Sequence, residues 1–278
     1  MSATLELELQ LALRAAAEAG AAVMRYFGTA LDVTHKSPDQ PLTAADLEAD
    51  RLLRAALVGG TDGYGWLSEE SADRPDRLGR DRVWIVDPID GTSSFIRARP
   101  EFTISIGLAE RGRAVLGVVA NPATGEVYWA VRGGGAWRRE AGGTDERVRV
   151  ADTDVARTLL ASRSEIAAGE FDALRADWHL QPTGSTAYKL ALVAAGRGVA
   201  FLSRGPKSEW DVCAGALLVQ EAGGVVTDVA GAELAYNRPD PYVPGIVAGT
   251  ATAHARLLAA SRLLPPAGRL RGGSQEKG

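Results

Sequence analysis

Leu5, Leu9, Ala12, Leu13, Ala16 and Val23 recur at helical spacing, which predicts an amphipathic helix over residues 2–27. A polar link over 28–41 follows, and a second helix with Leu47, Leu52, Leu53 and Leu57 on its apolar face opens near Thr43, a candidate N-cap, and stops at Gly59-Gly60. Short apolar runs at 83–86, 103–108, 115–120, 127–131 and 136–137 then read as strands, joined by turn signals at Gly112, at 121–125 and at 133–135. Two helices against an antiparallel sheet make this half α+β. Beyond 142–146 the pattern changes: strand-like 158–162, 199–202, 225–227 and 246–248 alternate with helical 165–176, 187–195 and a long apolar helix from Asp211 to Gly223-Gly224, as in an α/β unit. The expected division is 1–145, 146–265 and a polar, glycine-rich, disordered tail over 266–278.

Composition narrows the picture only slightly. A chain of 278 residues with 46% hydrophobic content can bury one large core or two domain-sized ones. With 31 basic against 35 acidic residues, a net charge of -4 gives no electrostatic case for a nucleic-acid polymer as partner. Cys213 is the only cysteine, so no intrachain disulfide can form, and its place inside the apolar helix predicts burial. No basic leader opens the chain and no apolar run approaches the roughly 18 residues of a membrane span, so a cytoplasmic location without a membrane partner is expected. His35, His179 and His254 share no ligand spacing, which argues against histidine-based zinc chemistry.

The candidate chemistry lies in Asp87-Pro88-Ile89-Asp90-Gly91-Thr92, which directly follows the apolar strand at 83–86. Magnesium takes oxygen ligands, typically one or two carboxylates with phosphate oxygens and waters, and acids ending a strand supply them. The Gly91-Thr92-Ser93 turn can open a helix whose free donors suit a phosphate. The same string is also good turn chemistry. Two further segments end in acids: Trp66-Leu67-Ser68-Glu69-Glu70-Ser71, and Glu209-Trp210-Asp211 at the start of the long helix. Taken alone, Glu69 and Glu70 read as solvated acids and Asp211 as a helix cap worth about 1 kcal/mol.

Taken together, these segments resemble the inositol monophosphatase superfamily, magnesium-dependent and lithium-sensitive phosphomonoesterases, from the region of Lys36 to about Gly249. Its two signatures correspond to Asp87 through Thr92 and to Trp210 through Gly224, with the Glu-Glu-Ser element upstream. The resemblance implies an αβαβα layered sandwich of the inositol monophosphatase and fructose-1,6-bisphosphatase type, two to three Mg2+ ions, inhibition by Li+, and homodimers as a common form. It implies a first magnesium on Glu69, Asp87 and the Ile89 carbonyl, a second on Asp87, Asp90 and Asp211, and a third leaning on Glu69. Glu69 and Thr92 would orient the attacking water, and Asp46 would hydrogen-bond Thr92, although a first-turn acid is equally at home there. Glu70 reads as an outer or exposed residue and Lys36 as a charged loop residue outside the site.

For the substrate, the resemblance gives Gly91, Thr92, Ser185, Lys189 and Arg204 as contacts. Inositol monophosphatases carry an acid seven residues before the last metal-binding aspartate, where this chain has Arg204, and an arginine prefers an anion. The string 184–190, Glu209 before Trp210 and Tyr236-Asn237 look more like the 3'-phosphoadenosine 5'-phosphate phosphatase branch. The leading expectation is removal of that nucleotide's 3'-phosphate, with a small phosphorylated metabolite such as an inositol phosphate, fructose 1,6-bisphosphate, histidinol phosphate or a nucleotide intermediate as the alternative. A chain that kept the fold only to bind a ligand would be expected to have lost a carboxylate, whereas Glu69, Asp87, Asp90 and Asp211 are all intact.

Overall fold

The computed structural model describes residues 5–37, 40–151 and 157–264, so the expected tail lies outside the described residues. Helix α1 (Glu6–Met24) buries the stripe Leu9, Ala12, Ala16, Ala19 and Val23. Strands β1 (Thr34–Ser37) and β2 (Gln40–Leu42) pair antiparallel in the stretch expected to be a polar link. Helix α2 (Ala44–Gly59) begins at Thr43 as anticipated: the Thr43 hydroxyl accepts from the Ala45 amide, and the Asp46 carboxylate accepts from the Thr43 amide at 2.8 Å.

β3 (Gly65–Ser68) and β4 (Arg82–Asp90) run parallel. After the short helix α3 (Thr92–Ile96), β5 (Thr103–Glu110), β6 (Arg113–Asn121), β7 (Glu126–Val131), β8 (Gly135–Arg139) and β9 (Glu146–Val148) follow as antiparallel neighbours. Among the described residues these seven strands form one sheet in sequence order. It is mixed, because β3 is parallel to β4, and β9 carries it past the glycines where a change of organisation was expected.

The chain continues through β10 (Thr158–Ala161), α4 (Arg163–Ala167), β11 (His179–Pro182), α5 (Thr186–Ala194), β12 (Ala200–Ser203), β13 (Lys207–Ser208), α6 (Glu209–Glu221), β14 (Val225–Thr227), β15 (Tyr242–Val243), β16 (Ile246–Gly249) and α7 (Ala251–Ser261). A second sheet of order β11-β10-β12-β16-β14 results, with β16 antiparallel to both its neighbours. The helix expected over 165–176 is cut short as α4. It stops at Ala167 because Gly169 takes a left-handed φ of 72°, and only a tight turn at Asp172–Leu174 follows.

Among the described residues three apolar cores fix the layers. Trp84 and Val86 of β4 pack with Leu9, Ala49 and Leu53 of α1 and α2, while Val83 and Ile85, on the opposite face, pack with Leu190 of α5 and Leu217 of α6. The second core also takes in Phe201, Ile246 and Ala248 of the second sheet, and α7 covers that sheet's outer face through Ala253 and Leu257. The result is an αβαβα sandwich. α6 is its central layer and is apolar almost all round, as a helix between two sheets must be. It sits close to the first sheet: a Cβ on Gly107 would lie 2.6 Å from the Cys213 sulfur, and one on Gly117 would lie 2.7 Å from the Ala214 carbonyl oxygen.

Candidate active site

β4 delivers the first carboxylate through its alternation. Val83, Ile85 and Asp87 share the face toward α6, so the strand that packs the middle core ends by presenting an acid there. Asp90, three residues on, would point to the opposite face of a regular strand. The register with β5 slips between Asp87, paired with Ser105, and Asp90, paired with Thr103, which places one extra residue on β4. Pro88, which has no amide hydrogen to give a ladder, falls inside that bulge. The Ile89 amide donates to Asp87 Oδ1 at 3.0 Å and tightens the turn.

α6 brings the third acid. Asp211 accepts the Ser208 amide at 2.9 Å, so it does cap its helix, and it also reaches across to β4. Among the described residues Asp87, Asp90 and Asp211 can place one oxygen each within 4.8 Å of one another. Asp90 is held from the other side by α5: its Oδ2 accepts from the Ser185 hydroxyl at 2.6 Å and the Ala187 amide at 2.5 Å. Ser185 carries a left-handed φ of 59° at the head of that helix.

Three carboxylates at this spacing repel one another. Burial, then the charges of Glu69, Asp90 and Asp211, push Asp87 well above the usual carboxylate range. Burial and the charges of Asp90 and Glu69 push Asp211 up to about 7. Such a donor set, all oxygen and unfavourable when ionised alone, fits a hard divalent cation.

The Glu69-Glu70 turn stands beside this cluster, outside the three-acid group. Lys36 Nζ, from β1, bonds Glu69 Oε1 at 2.7 Å and Glu70 Oε1 at 2.8 Å. Glu69 therefore faces an ammonium here, while its charge still reaches Asp87 and Asp211. One expectation needs correction and one is narrowed. Lys36 belongs to the site's surroundings, because the β1–β2 hairpin, missed in the sequence, brings it to Glu69 and Glu70. Of the two readings of Glu70, outer or exposed, the first stands: its side chain is 3% accessible, and burial raises it to about 7.

Thr92, opening α3, places its hydroxyl 3.1 Å from Asp46 Oδ1 and 3.0 Å from the Ile89 carbonyl. The other Asp46 oxygen takes the Thr43 hydroxyl at 2.6 Å and the Thr43 amide. Burial raises Asp46, and these hydrogen bonds oppose it. Capping α2 and gripping Thr92 are thus one arrangement.

A cavity of about 850 Å³ opens beside Asp90 and Gly91, and Ser185 and Lys189 line it with His35, Arg97, Arg99 and Arg163. Gly91, at φ 97°, is required there, since a Cβ would lie 2.9 Å from the Glu101 carbonyl oxygen. Lys189 is 1% exposed; its ammonium donates to Ser162 Oγ at 3.2 Å and the Thr183 carbonyl at 3.3 Å and lies 5.1 Å from the centre of the Phe201 ring. Burial lowers it to about 8. Arg204 is not among the lining residues. The turn after β12 sends it toward the end of α7, where it donates to the Leu264 carbonyl at 3.3 Å. The sequence alone did not bring forward Arg97, Arg99 and Arg163, because nothing in their spacing shows that α3 and α4 face one cavity.

Residues 5–264 match the model of the inositol monophosphatase family. An inositol-1-monophosphatase of Mesorhizobium japonicum is 36% identical over 237 residues, covering 81% of this chain and 86% of that protein. A 3'(2'),5'-bisphosphate nucleotidase CysQ of Escherichia coli is 35% identical over 237 residues, covering 83% and 94%. Among solved structures, the extragenic suppressor protein suhB of Bartonella henselae superposes with a TM-score of 0.79 at 29% identity, covering 95% of this chain and 98% of that one.

Proposed function

The chain belongs to the inositol monophosphatase family of phosphomonoester hydrolases, and from that membership we propose a magnesium-dependent enzyme that removes the 3'-phosphate of 3'-phosphoadenosine 5'-phosphate to leave AMP. The observation that carries the substrate reading is the cavity wall: among the described residues Asp90 is its one acidic lining residue, while Arg97, Arg99 and Lys189 supply cations, with Arg163 beside them already paired with Glu101. A substrate with a second phosphate away from the reacting one suits that wall better than a neutral polyol. Arg204 is not among the residues that line this wall, so the reading rests on the other cations.

Asp87, Asp90 and Asp211, with Glu69 and the Ile89 carbonyl beside them, are the groups that would hold the cations. Magnesium, when bound, would neutralise charge on the phosphoryl oxygens and make a water more acidic. The chain's own residues then orient and take up a proton. The Thr92 hydroxyl has one hydrogen and two acceptors in reach, Asp46 Oδ1 at 3.1 Å and the Ile89 carbonyl at 3.0 Å; given to Asp46, that hydrogen leaves the hydroxyl oxygen as an acceptor for the attacking water. Asp46, raised by burial, is a better base than a surface aspartate. The water's oxygen bonds to phosphorus as its proton passes by way of the Thr92 hydroxyl to Asp46, the ester P–O bond breaks, and the departing alkoxide takes a proton from a solvent water. The Lys189 ammonium has three donors, of which two are engaged by long hydrogen bonds, so one remains for the distal phosphate.

Phosphate release with magnesium tests this on 3'-phosphoadenosine 5'-phosphate, 3'-AMP, inositol 1-phosphate, fructose 1,6-bisphosphate and histidinol phosphate, each with and without lithium. Preference for the first over 3'-AMP supports the reading. A second reading, inositol-1-phosphate hydrolysis, is favoured by the 36% identity to the Mesorhizobium inositol-1-monophosphatase. Greater turnover of inositol 1-phosphate would replace the nucleotide with the polyol and leave the metal chemistry standing.

A further inference from the structure

We propose that Asp50 is a positioning residue that sets the Glu69-Glu70 turn for cation binding, an inference that rests on the metal reading above. Asp50 lies on α2 one turn beyond Asp46, so the two carboxylates project from neighbouring parts of one helix face. Asp46 holds Thr92 in the turn after β4. Asp50 holds the turn after β3: its Oδ1 accepts from Ser68 Oγ at 2.6 Å and its Oδ2 from Ser71 Oγ at 2.6 Å. Those two serines bracket Glu69 and Glu70. Ser71 Oγ in turn accepts from the Trp66 indole at 3.2 Å, so the serine hydrogen is directed at Asp50.

Asp50 adds a third carboxylate beside two acids that need Lys36 to neutralise them. A carboxylate accepts at both ends of the turn, whereas an asparagine offers only one acceptor oxygen and has to turn its NH2 toward Ser68 or Ser71, so that one of the two serine-to-residue-50 hydrogen bonds is lost or reversed. A single rigid helix thereby fixes two turns that must meet around the same cations, one carrying Glu69 and the other Asp90 and Thr92. Partners that orient ligands in this way typically contribute about 10- to 100-fold to metal affinity.

The test is magnesium titration of substrate-free protein, followed by calorimetric melting and by isothermal titration, for wild type, Asp50→Asn, Asp50→Ala and Ser71→Ala. Glu48→Gln is the control, because Glu48 sits on the same helix but pairs with Arg25 and Tyr26. The expected result is magnesium affinity weakened about 10-fold in both Asp50 variants, with kcat at saturating magnesium largely kept and metal-free melting close to that of Glu48→Gln. Ser71→Ala should weaken affinity in the same direction, and its combination with Asp50→Ala should add little. Wild-type magnesium affinity in the Asp50 variants overturns the proposal while the metal reading stands. A loss of metal-free stability with affinity no worse than the control also overturns it, by showing that Asp50 only supports the fold. Absence of any magnesium response in the wild type overturns both.

Discussion

Thr92 Oγ1 lies 3.1 Å from Asp46 Oδ1, joining the turn after β4 to the head of α2 across 46 residues of sequence. If that hydroxyl orients the attacking water, Thr92→Val should lower kcat by about 100-fold while Thr92→Ser keeps most activity. Asp46→Asn should lose a similar factor and also about 1 kcal/mol of stability, because the same carboxylate caps α2. Steady-state kinetics and urea denaturation on the same preparations separate the two losses.

Asp87→Asn should reduce turnover by more than about 100-fold, since it removes the charge of the acid central to the cluster. The same change should raise the melting temperature of the metal-free protein, because an ionised Asp87 is buried among like charges. An unchanged or lower metal-free melting temperature would show that the acids are better accommodated without a cation than their spacing indicates.

Stability without metal should depend on pH in a defined direction. Asp211 and Glu70 are each raised to about 7, against an unfolded carboxylate near 4. A raised acid stabilises the fold when protonated, so the contribution is fully present below about pH 4 and is lost as pH rises through about 7. Cation binding needs the ionised form, so magnesium should raise the melting temperature more at pH 8 than at pH 5.5. Melting curves with EDTA and with magnesium at the two pH values check both signs.

Lys189→Met should cost a bisphosphorylated substrate about 10- to 100-fold in kcat/KM and a simple monophosphate much less, the loss of one charge-assisted hydrogen bond. Arg204→Glu should not discriminate between them, because Arg204 bonds the Leu264 carbonyl away from the cavity. Equal losses for both substrates in Lys189→Met would make the lysine structural.

Arg77 is 2% exposed and grips Asp73, Asn237 and the Arg238 carbonyl, while the fully buried Glu209 accepts the Asn237 and Arg238 amides two residues before Asp211. Arg77→Met should destabilise the protein by roughly 3 kcal/mol, since several buried polar groups lose their partner together. Urea denaturation gives the number directly.

Much of this site was legible in the sequence because its acids sit at element ends, where apolar periodicity stops at a carboxylate. The strand before Asp87, the cap at Thr43 and the helix behind Asp211 all follow from local pattern. What was hidden depends on long-range pairing. The bulge at Pro88 that turns Asp90 toward Asp87 exists only against β5. Lys36 reaches Glu69 only because β1 pairs with β2. The sequence distance of Arg204 from Asp211 does not show that the turn after β12 brings it to the Leu264 carbonyl. The helix expected over 165–176 failed locally, at Gly169.

The central position of α6 has a consequence for how the molecule opens. Its apolar sides are walls of the core between the two sheets, and its first turn supplies Asp211. The site therefore cannot be released by fraying one end of the chain; freeing Asp211 from Asp87 and Asp90 means parting the layers. Amide hydrogens along α6 should exchange only through an opening close to global unfolding, and cation should slow that exchange by the ratio of total to cation-free protein. Metal affinity and resistance to unfolding are, along this helix, two readings of one equilibrium.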